Sequence, residues 1–389
     1  MNRRIYYLIL TILLSVVFNC KKEDTSPLFL FNVFAWENQI IITDIVEKYM
    51  MKNFEILFNE SLNLKNKAYE FKNNPNIQNL ISWQNALKSV YRNLTLVELF
   101  NFGPSNDSRT IYKNIYSWTF GQEPCYQSIN CTTSVQSIIN GSENIDQNYI
   151  NNLGTKVKGI TILEYLIFTD GGQTFSQNKD EQNVLNSLHG RKLDYAVALS
   201  ENLNDNIQIL YNNWKVYKHN LLNPSIHNNY YKSQLDIISE FNVQIIDQLS
   251  RIIDRKIGYP AGLNISSSGN INLNRIESLY AEQSIVSIYN NLLSIYEIYN
   301  GNYNRKGLKH ILYRSDEELA ELTSQKIEEI LYYFQIHLEK KRDLKYLIEY
   351  DSENLKTVYN KIRNIRIFFS SEFVSATGTN PGVGSSDGD

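Results

Sequence analysis

Apolar residues recur three and four positions apart along most of the chain, a spacing that predicts amphipathic helices. Leu80, Trp83, Leu87, Val90, Tyr91, Leu94 and Val97 mark one face of a helix from about Ile77 to Phe100. Asn101-Phe102-Gly103-Pro104 ends it, since Gly and Pro both break helices. Before it, Leu28 to Asn73 is helical in period, but the face formed by Ile41, Ile45, Tyr49, Lys52 and Leu57 drifts, which predicts a break near Asn59. After it, residues 101–155 are irregular, with short helical pieces at about Ile111–Trp118 and Val135–Ile139. A long helix is expected from about Asn178 to His219, broken at His189-Gly190. Further helices are expected from Leu235 to Ile253, which ends at Lys256 to Pro260, and over Leu273–Tyr299, Arg305–Tyr313, Asp316–Lys341 and Ser352–Val374. Ser315 with Glu318 three positions later has the spacing of a capping box. No segment alternates convincingly enough for a strand. The fold class is therefore all-α, two packed helical-bundle domains with long irregular loops.

One stretch departs from this amphipathic pattern. Lys158 to Phe168 is almost wholly apolar, with Glu164 near its centre. On a helix, Glu164 shares a face with Ile160, Thr161, Ile167 and Phe168. A carboxylate so placed must find a metal, a basic side chain or a hydrogen-bond network, or shift its pKa.

The N-terminus carries a different pattern. Arg3 and Arg4 precede an apolar run from Ile5 to Phe18, too short to span a bilayer comfortably. Cys20 follows at once, and Lys21-Lys22-Glu23-Asp24 comes next. This order resembles a bacterial lipoprotein signal with Cys20 as the acylated residue. An ordinary secretory signal, or an uncleaved anchor, is the alternative. The expected organisation is a signal at residues 1–19, a tether at 20–27, an N-terminal helical domain at 28–222 and a C-terminal one at 223–389, divided at Leu222 to Asn229. Without residues 1–19 the balance is 36 basic against 41 acidic residues, or −5, which gives no support for nucleic-acid binding. Cys125 and Cys131 lie in a polar loop, and an even pair in an exported protein favours a disulfide over a metal site.

Several landmarks resemble the imelysin family of bacterial envelope proteins. Gly159-x-Thr161-x-x-Glu164 is similar to its GxHxxE segment, with Thr161 where the family has His. Trp83-x-x-Ala86 followed by Glu98-Leu99-Phe100-Asn101-Phe102-Gly103-Pro104 resembles its Trp helix and acidic-aromatic corner. Lys256-Ile257-Gly258-Tyr259-Pro260 resembles its K-x-G-x-P corner, and Arg275-Ile276-Glu277-Ser278 with Ser284 its Glu-Ser helix. Tyr299-Asn300-Gly301, Gly307-Leu308 and the tail around Asp387-Gly388-Asp389 continue the likeness in order. The resemblance implies two helical bundles with the GxHxxE helix near their interface, a His and Glu as metal ligands, and roles in iron or haem acquisition or in proteolysis.

Thr161 alters that expectation, because a hydroxyl is a poor ligand for Zn or Fe. Glu164 alone cannot hold a transition metal tightly unless Glu98, Glu277, Asp387 or Tyr oxygens converge on it. Oxygen ligands alone suit Ca²⁺, Mg²⁺ or Fe³⁺ weakly. The five His, at 189, 219, 227, 310 and 337, form no HExxH pair. Glu98 is also read as a helix-end residue, and Thr161 with Glu164 as part of a buried network joining the domains. Three functions remain in view: an envelope binding protein linked to iron or haem, a metallopeptidase, and a surface interaction or adhesion protein. The expected cofactor is unidentified, at most a weakly bound metal ion or haem. The expected partners are a membrane reached through the lipid anchor and an unidentified ligand or envelope protein.

Overall fold

A computed structural model describes residues 26–107, 109–116, 129–170, 180–302 and 304–380. It separates the chain into two units, divided between Ile40 and Ile41. In the first, residues 26–40 lie on helix α1 (Ser26–Thr43). The second holds α2 (Met51–Asn73), α3 (Ile77–Val97), α4 (Arg109–Ile115), α5 (Ile129–Asn140), α6 (Gln147–Asn152), α7 (Ile160–Phe168), α8 (Glu181–Ser187) and α9 (Gly190–Leu222). It continues with α10 (Gln234–Arg251), α11 (Ser284–Asn300), α12 (Glu317–Glu339), α13 (Leu344–Tyr350), α14 (Ser352–Ser370) and α15 (Glu372–Thr377).

The helices form because their apolar stripes find one another. α2 and α3 pack as an antiparallel pair joined by a short turn, and α9 lies on α2. Their shared core holds Phe54, Leu57, Trp83, Leu87 and Trp214, all essentially without solvent exposure. The Phe54 and Trp214 rings stack with centroids 5.3 Å apart. α11, α12, α10 and α14 make a second group, and α11 also packs on α3. α7 sits against α3 and α9, and its residues 160–168 are all buried. The turn at Asn223 lies between α9 and α10, within the second unit.

Three departures from the sequence expectation have physical causes. The chain does not break near Asn59. Instead Asp44–Met50 is a π-helical stretch, and α2 runs on to Asn73. The wider π turn rotates the following face, which accounts for the drifting stripe. The helix expected over 273–299 begins only at Ser284, and residues 276–283 form a loop of successive turns with Ser278 and Glu282 in left-handed conformations. A two-residue antiparallel pair, Gly301–Asn302 with Arg305–Lys306, replaces the start of the helix expected at 305.

The capping box expected at Ser315 is also absent. Asp316 caps α12, accepting from the Leu319 amide at 2.8 Å. A full box occurs at Ser233 and Asp236. The expected break at His189-Gly190 separates α8 from α9. Cys20, Cys125 and Asp387, and the side chain of Cys131, lie outside the described residues.

Candidate functional site

Glu164 is fully buried on α7. Oε2 accepts from the Tyr91 hydroxyl of α3 at 2.7 Å. Oε1 accepts from the backbone amides of Tyr280 and Ala281, at 2.8 and 2.9 Å. The second link explains why 276–283 is not helical. Those two amides cannot serve a helix and the Glu164 carboxyl together, and hydrogen bonds in a dry interior outweigh local helix propensity. Burial raises the Glu164 pKa above its ordinary 4.5, although Tyr91 and the loop amides pull the other way.

Gly159 places this helix. It has a φ of 87°, and a Cβ there would lie 2.7 and 2.8 Å from the carbonyl oxygens of Asn114 and Ile115. Only glycine fits this close approach to α4. Thr161 is buried two residues on, with 2% of its surface exposed.

Glu98 and Glu277 meet elsewhere, at a buried cation. Lys256, itself buried, places Nζ 2.7 Å from Glu98 and 3.2 Å from the Glu277 carboxylate. It also donates to Ser287 Oγ at 2.8 Å. Asn291 donates to the same Glu98 oxygen at 3.0 Å. Burial alone would raise the Glu98 pKa, but the charges of Lys256 and Arg251 bring it below 4.5. Glu277 moves well up, through burial and the neighbouring Glu98 charge. Burial lowers Lys256 to about 8, so it stays protonated at neutral pH. Glu98 is thus a buried ion-pair partner and not a solvated helix end.

The two clusters share their supports. Tyr91 on α3 and Glu98, its C-cap residue, are seven apart and fall on one face. Glu277, Tyr280 and Ala281 lie on one loop. Lys256 comes from a second π-helical stretch, Ile252–Gly258, where an apolar run hides it. In the sequence Lys256 stands out only as part of the K-x-G-x-P corner, and Ser287 and Asn291 carry no signal of their own. The available signal was a lysine among Ile252, Ile253 and Ile257.

These residues do not fit a tight metal centre. An ion at Glu164 would have to displace the Tyr91 hydroxyl or the loop amides. An ion at Glu98 or Glu277 would meet the Lys256 ammonium. Among the described residues, no group of three or more His, Cys, Asp or Glu is set to hold a metal. Surface grooves open elsewhere. One of about 440 Å³ is bordered by Asp170, His189, Arg191 and Lys192. Another of about 360 Å³ is bordered by Tyr69, Lys72, Asp194 and Glu201.

A model of the Imelysin family matches residues 50–350. The chain belongs to the imelysin family. An imelysin-like protein from Psychrobacter arcticum 273-4 superposes with a TM-score of 0.70 at 15% identity, covering 90% of this chain and 98% of that one. A protein from Parabacteroides distasonis ATCC 8503, named provisionally as an iron-regulated protein A precursor, superposes with a TM-score of 0.60 at 16% identity. That likeness covers 86% of this chain and 95% of the other. The comparison with curated proteins gives no match. The imelysin fold expected from the sequence landmarks is thus the fold observed, and among the described residues it is all-α apart from the one pair of two-residue strands.

Proposed function

We propose that this imelysin-family chain is a lipid-anchored binding protein of the bacterial envelope, linked to iron or haem acquisition, with no hydrolytic centre on α7. One observation carries the non-hydrolytic part. Both oxygens of Glu164 are engaged by Tyr91 and the 280–281 amides, with Thr161 in place of the imidazole. A peptidase needs an activated water and a general base free to take its proton. Glu164 is not free in this sense, and Glu98 is held by Lys256. The iron link and the export are supported by the name of the Parabacteroides protein, and the anchor by the placement of Cys20 behind its apolar run.

The test joins two measurements on purified protein. Equilibrium dialysis against Fe, Zn, Ca and haem is expected to show iron or haem retained above background, undiminished by Glu164→Gln. Incubation with an unfolded protein substrate is expected to show no chelator-sensitive cleavage. Cleavage that a chelator stops and Glu164→Gln abolishes would overturn the non-hydrolytic reading. Dialysis without retention of iron or haem would overturn the iron-linked one. Metal analysis of Thr161→His alongside tests the geometry further. The engaged Glu164 predicts that the added imidazole alone does not produce stoichiometric binding.

A further inference from the structure

α1 begins six residues after Cys20 and has an unusual composition. Residues 25–36 contain no charged side chain, while Leu28, Phe29, Leu30, Phe31, Val33, Phe34 and Trp36 fall within this stretch. The first charge after it is Glu37. Trp36 is 64% exposed, and Val33 and Phe34 are more than a third exposed. Trp83 and Trp214, by contrast, are wholly buried in the helical core. An 18-residue helix is roughly 27 Å long. Among the described residues, no helix is long and apolar enough to cross a membrane.

We propose that the first half of α1 lies in the lipid–water interface as a second membrane contact beside the acyl chains, resting on the lipid anchor proposed for Cys20. A tether this short keeps the segment at the bilayer surface. A charge-free stretch with aromatic side chains gains by moving into the acyl boundary, and Trp favours that depth. Lys21 and Lys22 are cancelled by Glu23 and Asp24, so attraction to anionic headgroups contributes little. The lipid surface recognised is therefore apolar in character and indifferent to headgroup charge. A contact of this kind also holds the protein close to the membrane, where acyl chains alone would leave it on a loose leash.

The experiment uses the mature chain, residues 20–389, carrying Cys20→Ser so that no acyl chain contributes. Co-sedimentation with phosphatidylcholine vesicles is expected, equal on vesicles containing phosphatidylglycerol and insensitive to salt. Trp36→Glu with Val33→Glu should weaken partition roughly tenfold or more, through lost apolar burial and an added charge. Circular dichroism of that variant should show the rest of the fold unchanged. Brominated lipid should quench fluorescence in the Cys20→Ser protein, and Trp36→Phe should remove that quenching while keeping co-sedimentation. No partition at high lipid excess would overturn the proposal, as would partition unaffected by the double substitution. Self-association without lipid, abolished by the same substitutions, would assign the face to a second copy and overturn it as well. Acylation of Cys20 is read separately, by fatty-acid labelling of the natural chain. Failure of the anchor and failure of the helix contact are thus told apart.

Discussion

Glu164 offers the most direct test of the site. Replacing it with Ala leaves three donors without their acceptor: the Tyr91 hydroxyl and the amides of Tyr280 and Ala281. Each stranded buried donor costs about 1–3 kcal/mol. Removing a buried carboxyl returns part of that sum, so a net loss of about 3–5 kcal/mol is expected. Gln is different. Its carbonyl oxygen can keep both amides, and its amide nitrogen can donate to the Tyr91 oxygen once that hydroxyl turns. Glu164→Gln should therefore cost no more than about 1 kcal/mol at neutral pH.

The pH dependence carries a sign. Glu164 titrates higher folded than unfolded, because burial disfavours its charge. The folded chain thus holds this proton more tightly. The favourable contribution is full below 4.5 and is lost as pH rises through the raised folded value. Relative to Glu164→Gln, the natural chain should lose stability as pH climbs above 4.5. Urea melts of the three proteins at pH 4 to 8, followed by circular dichroism, measure both effects. Equal losses for Ala and Gln would refute the reasoning, and so would a natural chain that gains on the Gln variant with rising pH.

Lys256→Met should destabilise by about 3–5 kcal/mol, because it strands the Glu98 charge in a dry site, and adding Glu98→Gln should recover part of the loss in urea melts. Gly159→Ala should cost at least about 2 kcal/mol, read as a lowered Tm, since the new methyl meets two backbone oxygens at a positive φ. Asn76 caps α3 by accepting from the Asn79 amide, and Asn76→Ala should cost about 1 kcal/mol in the same assay without altering ligand binding. A double-mutant cycle of Glu164→Gln and Glu277→Gln should be non-additive by about 0.5–3 kcal/mol, because both acids act on one loop.

The helices were legible wherever an apolar stripe met its caps. Leu80, Trp83, Leu87, Val90 and Leu94 are all core, and α3 starts at Ile77, capped by the asparagine that ends the 73–76 turn. What escaped was structure set by partners distant in sequence. Nothing local in Leu273–Gln283 says that Glu164, more than a hundred residues earlier, will take its amides. The segment has the composition of a helix and is pulled out of one. π-helical stretches escaped for a related reason. Their wider turn appears in sequence only as a wandering stripe, which Ile41, Ile45 and Tyr49 displayed and which a break explains equally well. Of the site, Glu164 announced itself by its setting, whereas Asn291 and Ser287 look like ordinary polar residues of a helix and gain meaning only beside Lys256.

The polar residues of this core connect stretches that apolar packing would leave loosely specified. Tyr91 to Glu164 spans 73 positions, Glu164 to Ala281 spans 117, and Glu98 to Lys256 spans 158. Apolar side chains of similar volume could fill the same space at comparable stability, since a buried ion pair repays little more than its desolvation. They would not fix which amides of the 276–283 loop face α7, nor hold Ser278 and Glu282 in left-handed conformations. Directional bonds do fix this, because every alternative register strands a donor or a charge. The carboxylates that suggest a metal centre in the sequence therefore act as joints between α3, α7 and the loop before α11. On that account the removal of one joint should loosen the loop first and the helices later. Amide exchange at Tyr280 and Ala281 should accelerate in Glu164→Ala well before protection is lost along α3.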